Sequence, residues 1–198
     1  MFLFVFTISL CIFVTNKFMI KSKILDDFYL QKVKEMILYI LDKTGDIDYY
    51  KLMKILFCSD RNNLLVWAEP ITNLVYTAKE HGPVPLSIYK MIVRSGSGQD
   101  NSLDDIITRL DEFIVHGKRK PNMDYISQTD VEAMDPAISY LKDKGYKDIE
   151  KELHEKVFFR LFPLKKAYSL TDIAETAGAD KKTLQRIVSN EKLNRALA

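Results

Sequence analysis

The sequence predicts a mostly α fold: a compact helical domain with a small β-hairpin element and a C-terminal helical hairpin. Three observations predict it. Apolar residues recur at three- and four-residue spacing over most of the chain, Gly and Pro fall between those stretches, and residues 70–85, which break the rhythm, are rich in Thr, Val and Pro. A length of 198 residues with 47% apolar content suffices for one ordinary domain and a short extension. No repeat of about 20 to 50 residues occurs, so solenoid folds drop out.

The expected organisation is an apolar N-terminal extension at 1–18, a main domain at 19–163 and a C-terminal extension at 164–198. Phe2 to Val14 is apolar apart from Thr7 and Ser9, yet it is shorter than the roughly 20 residues of a membrane span. No Lys or Arg precedes it and Thr15-Asn16-Lys17 follows, which does not fit a secretory signal. Met19 is therefore the expected start, with a membrane or secretory segment as the alternative, and no stable membrane association is expected.

From Asp26 a first helix is predicted, with Val33, Met36, Ile37, Ile40 and Leu41 on one face and Gly45 as its stop. Asp48 can cap a second helix through Trp67, with Leu52, Ile55, Leu56 and Leu64 inward and Glu69-Pro70 ending it. Ile71 to Ala78 and His81-Gly82-Pro83-Val84-Pro85 read as a β-like excursion, because each proline holds its predecessor extended. Pro85 suits the first turn of a third helix, with Ile88, Tyr89, Ile92 and Val93 on its apolar face and Ser95-Gly96-Ser97-Gly98 as its break. Leu103 to Leu110 reads as a short helix, and Phe113-Ile114-Val115 with Lys118-Arg119-Lys120-Pro121 as strand and turn, giving a second β element within 111–126. Ser127, with Asp130 three residues on, caps a helix with Val131, Met134, Ile138 and Leu141 on one side and Gly145 at its close. A single helix over Asp148 to Phe162 would put Ile149, Leu153, Val157 and Leu161 in its inner row, with Pro163 terminating it.

Composition and motifs exclude several functions. Basic and acidic residues number 29 and 27, so no global field marks a nucleic-acid or membrane partner. Cys11 and Cys58 are too few for a disulfide framework and point to a reducing, cytoplasmic compartment. His81, His116 and His154 are scattered, and His154-Glu155 lacks the second histidine of a zinc helix, so no metal site is expected. No nucleophile with a paired base and no glycine-rich phosphate loop is present, so neither catalytic residues nor a cofactor are expected.

Lys51-Leu52-Met53-Lys54-Ile55-Leu56-Phe57, Asp60-Arg61, Pro70-Ile71-Thr72, Tyr76-x-Ala78 and Gly82-Pro83-Val84-Pro85 occur in that order, and Leu153-His154 follows later. This pattern resembles the Panacea domain, also called SocA-like, over about residues 30 to 162. Glu69 stands where the family pattern often has Gly. The resemblance implies an antitoxin: a mostly helical module without cofactor or catalytic centre that neutralises a toxin encoded nearby by binding it, or as an adaptor that delivers it to a protease. The motif residues carried over are Lys54, Asp60, Arg61, Pro70, Ile71, Thr72, Gly82, Pro83, Val84, Pro85 and His154. For most of them a structural role is the better expectation: the prolines restrain the backbone, and Asp60 and Arg61 could form a buried pair or a solvated face.

The C-terminal stretch supports a second reading. Ser169 can cap a helix that turns inward Ile173 and Ala177, with Ala174 small enough for a close crossing, Gly178 makes the turn, and Leu184 and Ile187 seat a second helix over about 169–197. This resembles a helix-turn-helix, in which Lys181, Lys182, Gln185 and Arg186 would contact operator DNA. The blander and favoured reading is a hairpin that packs on the main domain. Lys118-Arg119-Lys120 reads as a solvated turn rather than a nucleic-acid patch.

Overall fold

The computed structural model describes residues 27–98 and 102–197. The predicted helix start at Asp26, the extension at 1–18, Met19 and Cys11 lie outside the described residues. Eight helices and two small antiparallel sheets are described. In order they are α1 (27–44), β1 (Ile47–Asp48), α2 (Tyr49–Trp67), β2 (Tyr76–Lys79), β3 (Gly82–Pro85), α3 (Leu86–Arg94), β4 (Ile107–Arg109), β5 (Ile114–Gly117), α4 (Gln128–Leu141), α5 (Tyr146–Leu153), α6 (Lys156–Leu161), α7 (Leu170–Glu175) and α8 (Lys181–Leu197). The fold is mostly α with small sheets, as predicted. No helix among the described residues is long and apolar enough to cross a membrane.

Local chemistry sets the helix ends. Gly45, at φ 69, ends α1 and its N–H returns to the Leu41 carbonyl. Asp48 caps α2 by accepting from the Tyr50 N–H, and Ser127 with Asp130 forms a capping box on α4. At the end of α2 the left-handed residue is Ala68 (φ 61), one position before Glu69, so a glycine is not required at 69.

The core is organised around α2, which touches α3, α4, α7, β1 and β3. Its residues Leu52 to Asp60 are all buried. Met36, Ile37 and Ile40 from α1 and Met134, Ile138 and Leu141 from α4 join it in one cluster. Glu35 of α1 is also buried and accepts two hydrogen bonds from the Arg119 fork, at 2.6 and 2.8 Å, and one from the Asn122 N–H at 2.7 Å. The Arg119 guanidinium holds the Glu35 carboxyl below the usual range. Lys118, Arg119 and Lys120 are exposed in a solvated turn, as expected, while Lys120 pairs with Asp42 and Lys118 donates to the Asp104 carbonyl.

Several expectations are corrected. Leu103 to Leu110 is not helical: it forms a turn and then β4, which completes a sheet in the order β1-β5-β4. Ile71 to Leu74 is loop, and only Tyr76–Lys79 pairs with β3, joined by the two-residue turn Glu80-His81. Pro85 is the N-cap of α3 rather than part of its first turn, and only Ile88 and Ile92 of its apolar set are buried, with Tyr89 and Val93 exposed. Gly145 opens α5 instead of closing α4. The predicted helix over 148–162 is two helices broken at His154-Glu155, although Ile149, Leu153, Val157 and Leu161 are all buried, and Pro163 lies within a single 3-10 turn, Phe162–Leu164.

Removing the exposed Arg119 strands the buried Glu35 carboxylate. Arg119→Ala is therefore expected to lower the unfolding free energy by about 3 kcal/mol in urea denaturation. Lys147→Ala, at an exposed position of α5, should change it by less than about 0.5 kcal/mol.

Candidate functional site

The motif residues gather in two clusters around α2. In the first, the fully buried Asp60 carboxylate is the acceptor for the whole turn that follows the helix. It receives the Ile71 N–H at 2.7 Å, the Thr72 N–H at 2.9 Å, the Thr72 hydroxyl, and the Tyr76 hydroxyl at 2.7 Å. Burial pushes the Asp60 carboxyl up while these donors pull it back. Tyr76, named in the family pattern but not carried over as a site residue, is 0% exposed and stacked edge-on to Phe57. Asp60 and Arg61 do not pair with each other: Arg61 points to Glu152 at 3.8 Å. Pro70 sits part-buried in the same turn.

The second cluster joins Lys54, the hairpin and the α5–α6 break. Lys54 is 0% exposed, donates to the Pro83 carbonyl at 2.7 Å and lies 4.7 Å from the centre of the Tyr50 ring. Burial pushes its ammonium down to about 7. Gly82 has a φ of 94, and a Cβ there would lie 3.3 Å from the Lys54 amine, so backbone conformation and space both call for glycine. Pro83, Val84 and Pro85 are buried along β3. The His154 ring stacks on Phe158 with centroids 3.9 Å apart and bonds to the Glu80 backbone, while burial lowers its pKa.

Together these clusters place the hairpin against the start of α2, and between them opens a cleft of about 1030 Å³. Tyr49, Tyr89 and Phe113 line one end, with ring centroids 6.1 and 6.2 Å from Tyr49. Tyr50, Tyr146 and His81 line the other, at 5.5 and 6.4 Å from Tyr50. Asp48 accepts from the Tyr146 hydroxyl at 2.9 Å, and Glu150 lies 3.0 Å from the His81 ring nitrogen. Each aromatic reads individually as a core residue. Only the fold reveals that they share an open surface, which Met53 and Val84 of the family pattern also line.

The C-terminal candidates lie elsewhere. Ser169 and Asp172 form a capping box on α7, and Gly178, at φ 75, makes the turn to α8. Ile173, Ala174 and Ile187 are buried, with Ala177 and Leu184 part-buried. The helices rest on the end of α2: Arg186 donates to the Val66 carbonyl at 3.3 Å and Asn190 to the Ala68 carbonyl at 3.4 Å. Lys181, Lys182 and Gln185 are exposed. Among the described residues no group of three or more His, Cys, Asp or Glu side chains could hold a metal ion.

A family model described as antitoxin SocA-like, Panacea domain, matches residues 52–157, more than half of the chain and everything from the first turn of α2 into α6. No curated protein and no solved structure matches the chain.

Lys54 has a folded-state pKa below its ordinary value, about 7 against 10.5. Between those values the unfolded chain binds the extra proton, so folding stability rises as pH increases from about 7 towards 10. Subtracting the urea-denaturation pH profile of Lys54→Met from that of the wild type should isolate this rise. A flat difference would refute the assignment.

Proposed function

The chain belongs to the SocA-like, Panacea-domain antitoxin family, and on that premise we propose that it neutralises a cognate toxin, encoded nearby, by binding it directly. The observation that carries this reading is the match itself, which covers the α2 core, the hairpin and α5 as one unit. An open aromatic cleft is the kind of surface a protein partner uses, since aromatic side chains dominate interface energetics. On this reading the protein is a binding module acting in the cytoplasm, without cofactor, metal or catalytic residue. The free, buried thiol of Cys58 is consistent with a reducing compartment.

The test is co-expression. The product of the neighbouring gene is expressed alone, with the full chain and with residues 19–198, while growth, toxin level and co-purification are followed. Growth arrest relieved by this chain, with toxin retained in a stable complex, is the expected outcome. Relief accompanied by loss of the toxin would instead identify the adaptor form, in which the toxin is handed to a protease. No toxicity and no complex would overturn the reading.

A second reading, a regulator that binds operator DNA, is favoured by one observation. A helix-turn-helix needs a third helix to close its core, and α2 supplies that packing under α7 and α8. Lys181, Lys182 and Gln185 would be the contacts, with Arg186 partly committed to Val66. If this holds, duplex binding falls steeply with salt in a mobility-shift titration, and Lys181→Glu with Lys182→Glu abolishes it without affecting neutralisation. Salt-insensitive or absent binding would remove this reading.

A further inference from the structure

The cleft is polarised along its length. At one end Tyr49, Tyr89 and Phe113 offer ring surface. Tyr89 is 36% exposed and Phe113 49%, although such large rings normally avoid water. At the other end the part-buried carboxylates of Asp48 and Glu150 face the Tyr50 and Tyr146 rings, with Glu80 at the hairpin tip. Their field is felt locally: burial, then Glu150 and Asp48, push the Tyr50 hydroxyl up to about 12. The two lysines of the lining, Lys79 and Lys90, are exposed, where solvent and salt screen them. Lys54 stands behind the Tyr50 ring, 4.7 Å from its centre, and burial lowers its pKa.

Aromatic faces beside carboxylates are the chemistry that recognises a cation, and a guanidinium suits them best because it stacks on rings and forks to carboxylates. We propose that the cleft receives a partner segment carrying a large apolar side chain next to an arginine, the apolar group between Tyr49, Tyr89 and Phe113 and the guanidinium against Tyr50, Tyr146 and the carboxylates. Resting on the antitoxin reading, this segment belongs to the toxin. An acidic segment would meet the part-buried Asp48 and Glu150. The chain's own apolar run, Phe2 to Val14, contains no basic residue to answer them.

The experiment pans a phage-displayed random heptapeptide library on the full chain, then measures the enriched peptides by fluorescence polarisation. The proteins compared are wild type, Tyr89→Ala with Phe113→Ala, Glu80→Gln with Glu150→Gln, and residues 19–198. The expected result is enrichment of an aromatic or large aliphatic residue beside Arg. Affinity should fall at least tenfold in the aromatic variant and several-fold in the charge variant, the latter difference shrinking at high salt. Thermal melting checks that each variant folds, and the charge variant alone keeps the proposal falsifiable if the aromatic one does not. Enrichment of acidic or purely apolar peptides, no enrichment, equal binding by the variants, or binding that emerges only without residues 1–18 would each overturn it. The growth assay separates the two readings. Rescue by wild type and cleft variants alike leaves the antitoxin and removes the cleft, whereas cleft-dependent peptide binding without rescue does the reverse.

Discussion

A helix buried on every side from Leu52 to Asp60 has to satisfy its buried polar side chains, and α2 carries four of them: Lys54, Ser59, Asp60 and Asn63. An isolated carboxylate in such a place costs several kcal/mol even after relaxation, so Asp60 is tolerable only because other groups come to it. Its donors lie between residues 71 and 76, which forces the chain leaving α2 to fold back along the helix and start β2 at Tyr76. Asn63 ties the same turn from the other side by donating to the Glu69 carbonyl at 2.8 Å. Ser59 needs no distant partner, since its hydroxyl donates to the Ile55 carbonyl one turn earlier.

The hairpin inherits its position from this constraint and passes it on. Once Tyr76 is anchored, β3 runs beside the first half of α2, and the Pro83 carbonyl becomes the acceptor for Lys54. Proline suits that strand because it offers a carbonyl while having no N–H to leave unpaired in the core. On its outer side β2 is met by the segment after α6: Tyr168 donates to the Tyr76 carbonyl at 2.8 Å and Ala78 to the Lys166 carbonyl at 3.2 Å. The Glu80-His81 tip is then left projecting beside Tyr50 and Tyr146, which creates the cleft. Its wall is therefore a consequence of how α2 buries its charges, and the motif residues act mostly beneath the surface.

What the sequence made legible follows from how local the governing interaction is. Asp48, Ser127 with Asp130 and Ser169 with Asp172 act within one turn, so the starts of α2, α4 and α7 could be read directly. β4 could not, because Leu103 to Leu110 fits a helix or a strand, and what decides is pairing with β5, itself paired to β1 some seventy residues earlier (Ile47 with Val115). The break at His154 was hidden because Ile149, Leu153, Val157 and Leu161 keep a four-residue spacing across it. Asp60 and Arg61 invited a pair on adjacency, yet neighbours on a helix point about 100° apart, and their real partners come from the turn and from α5. The cleft was the least legible feature: positions 49, 50, 89, 113 and 146 share no spacing, and only tertiary packing unites them.

The two candidate surfaces stand at opposite ends of α2, the cleft at Tyr49 and Tyr50 and the C-terminal helices at Val66 and Ala68. For one to influence the other, α2 would have to shift or turn. Such a shift would pull Lys54 from Pro83, Asp60 from its donors and Asn63 from Glu69, leaving buried groups unpaired at about 1 to 3 kcal/mol each, more for the charged ones. Coupling of that kind needs an element with two comparably stable arrangements, and α2 is held in its observed place by buried polar contacts at three positions along its length.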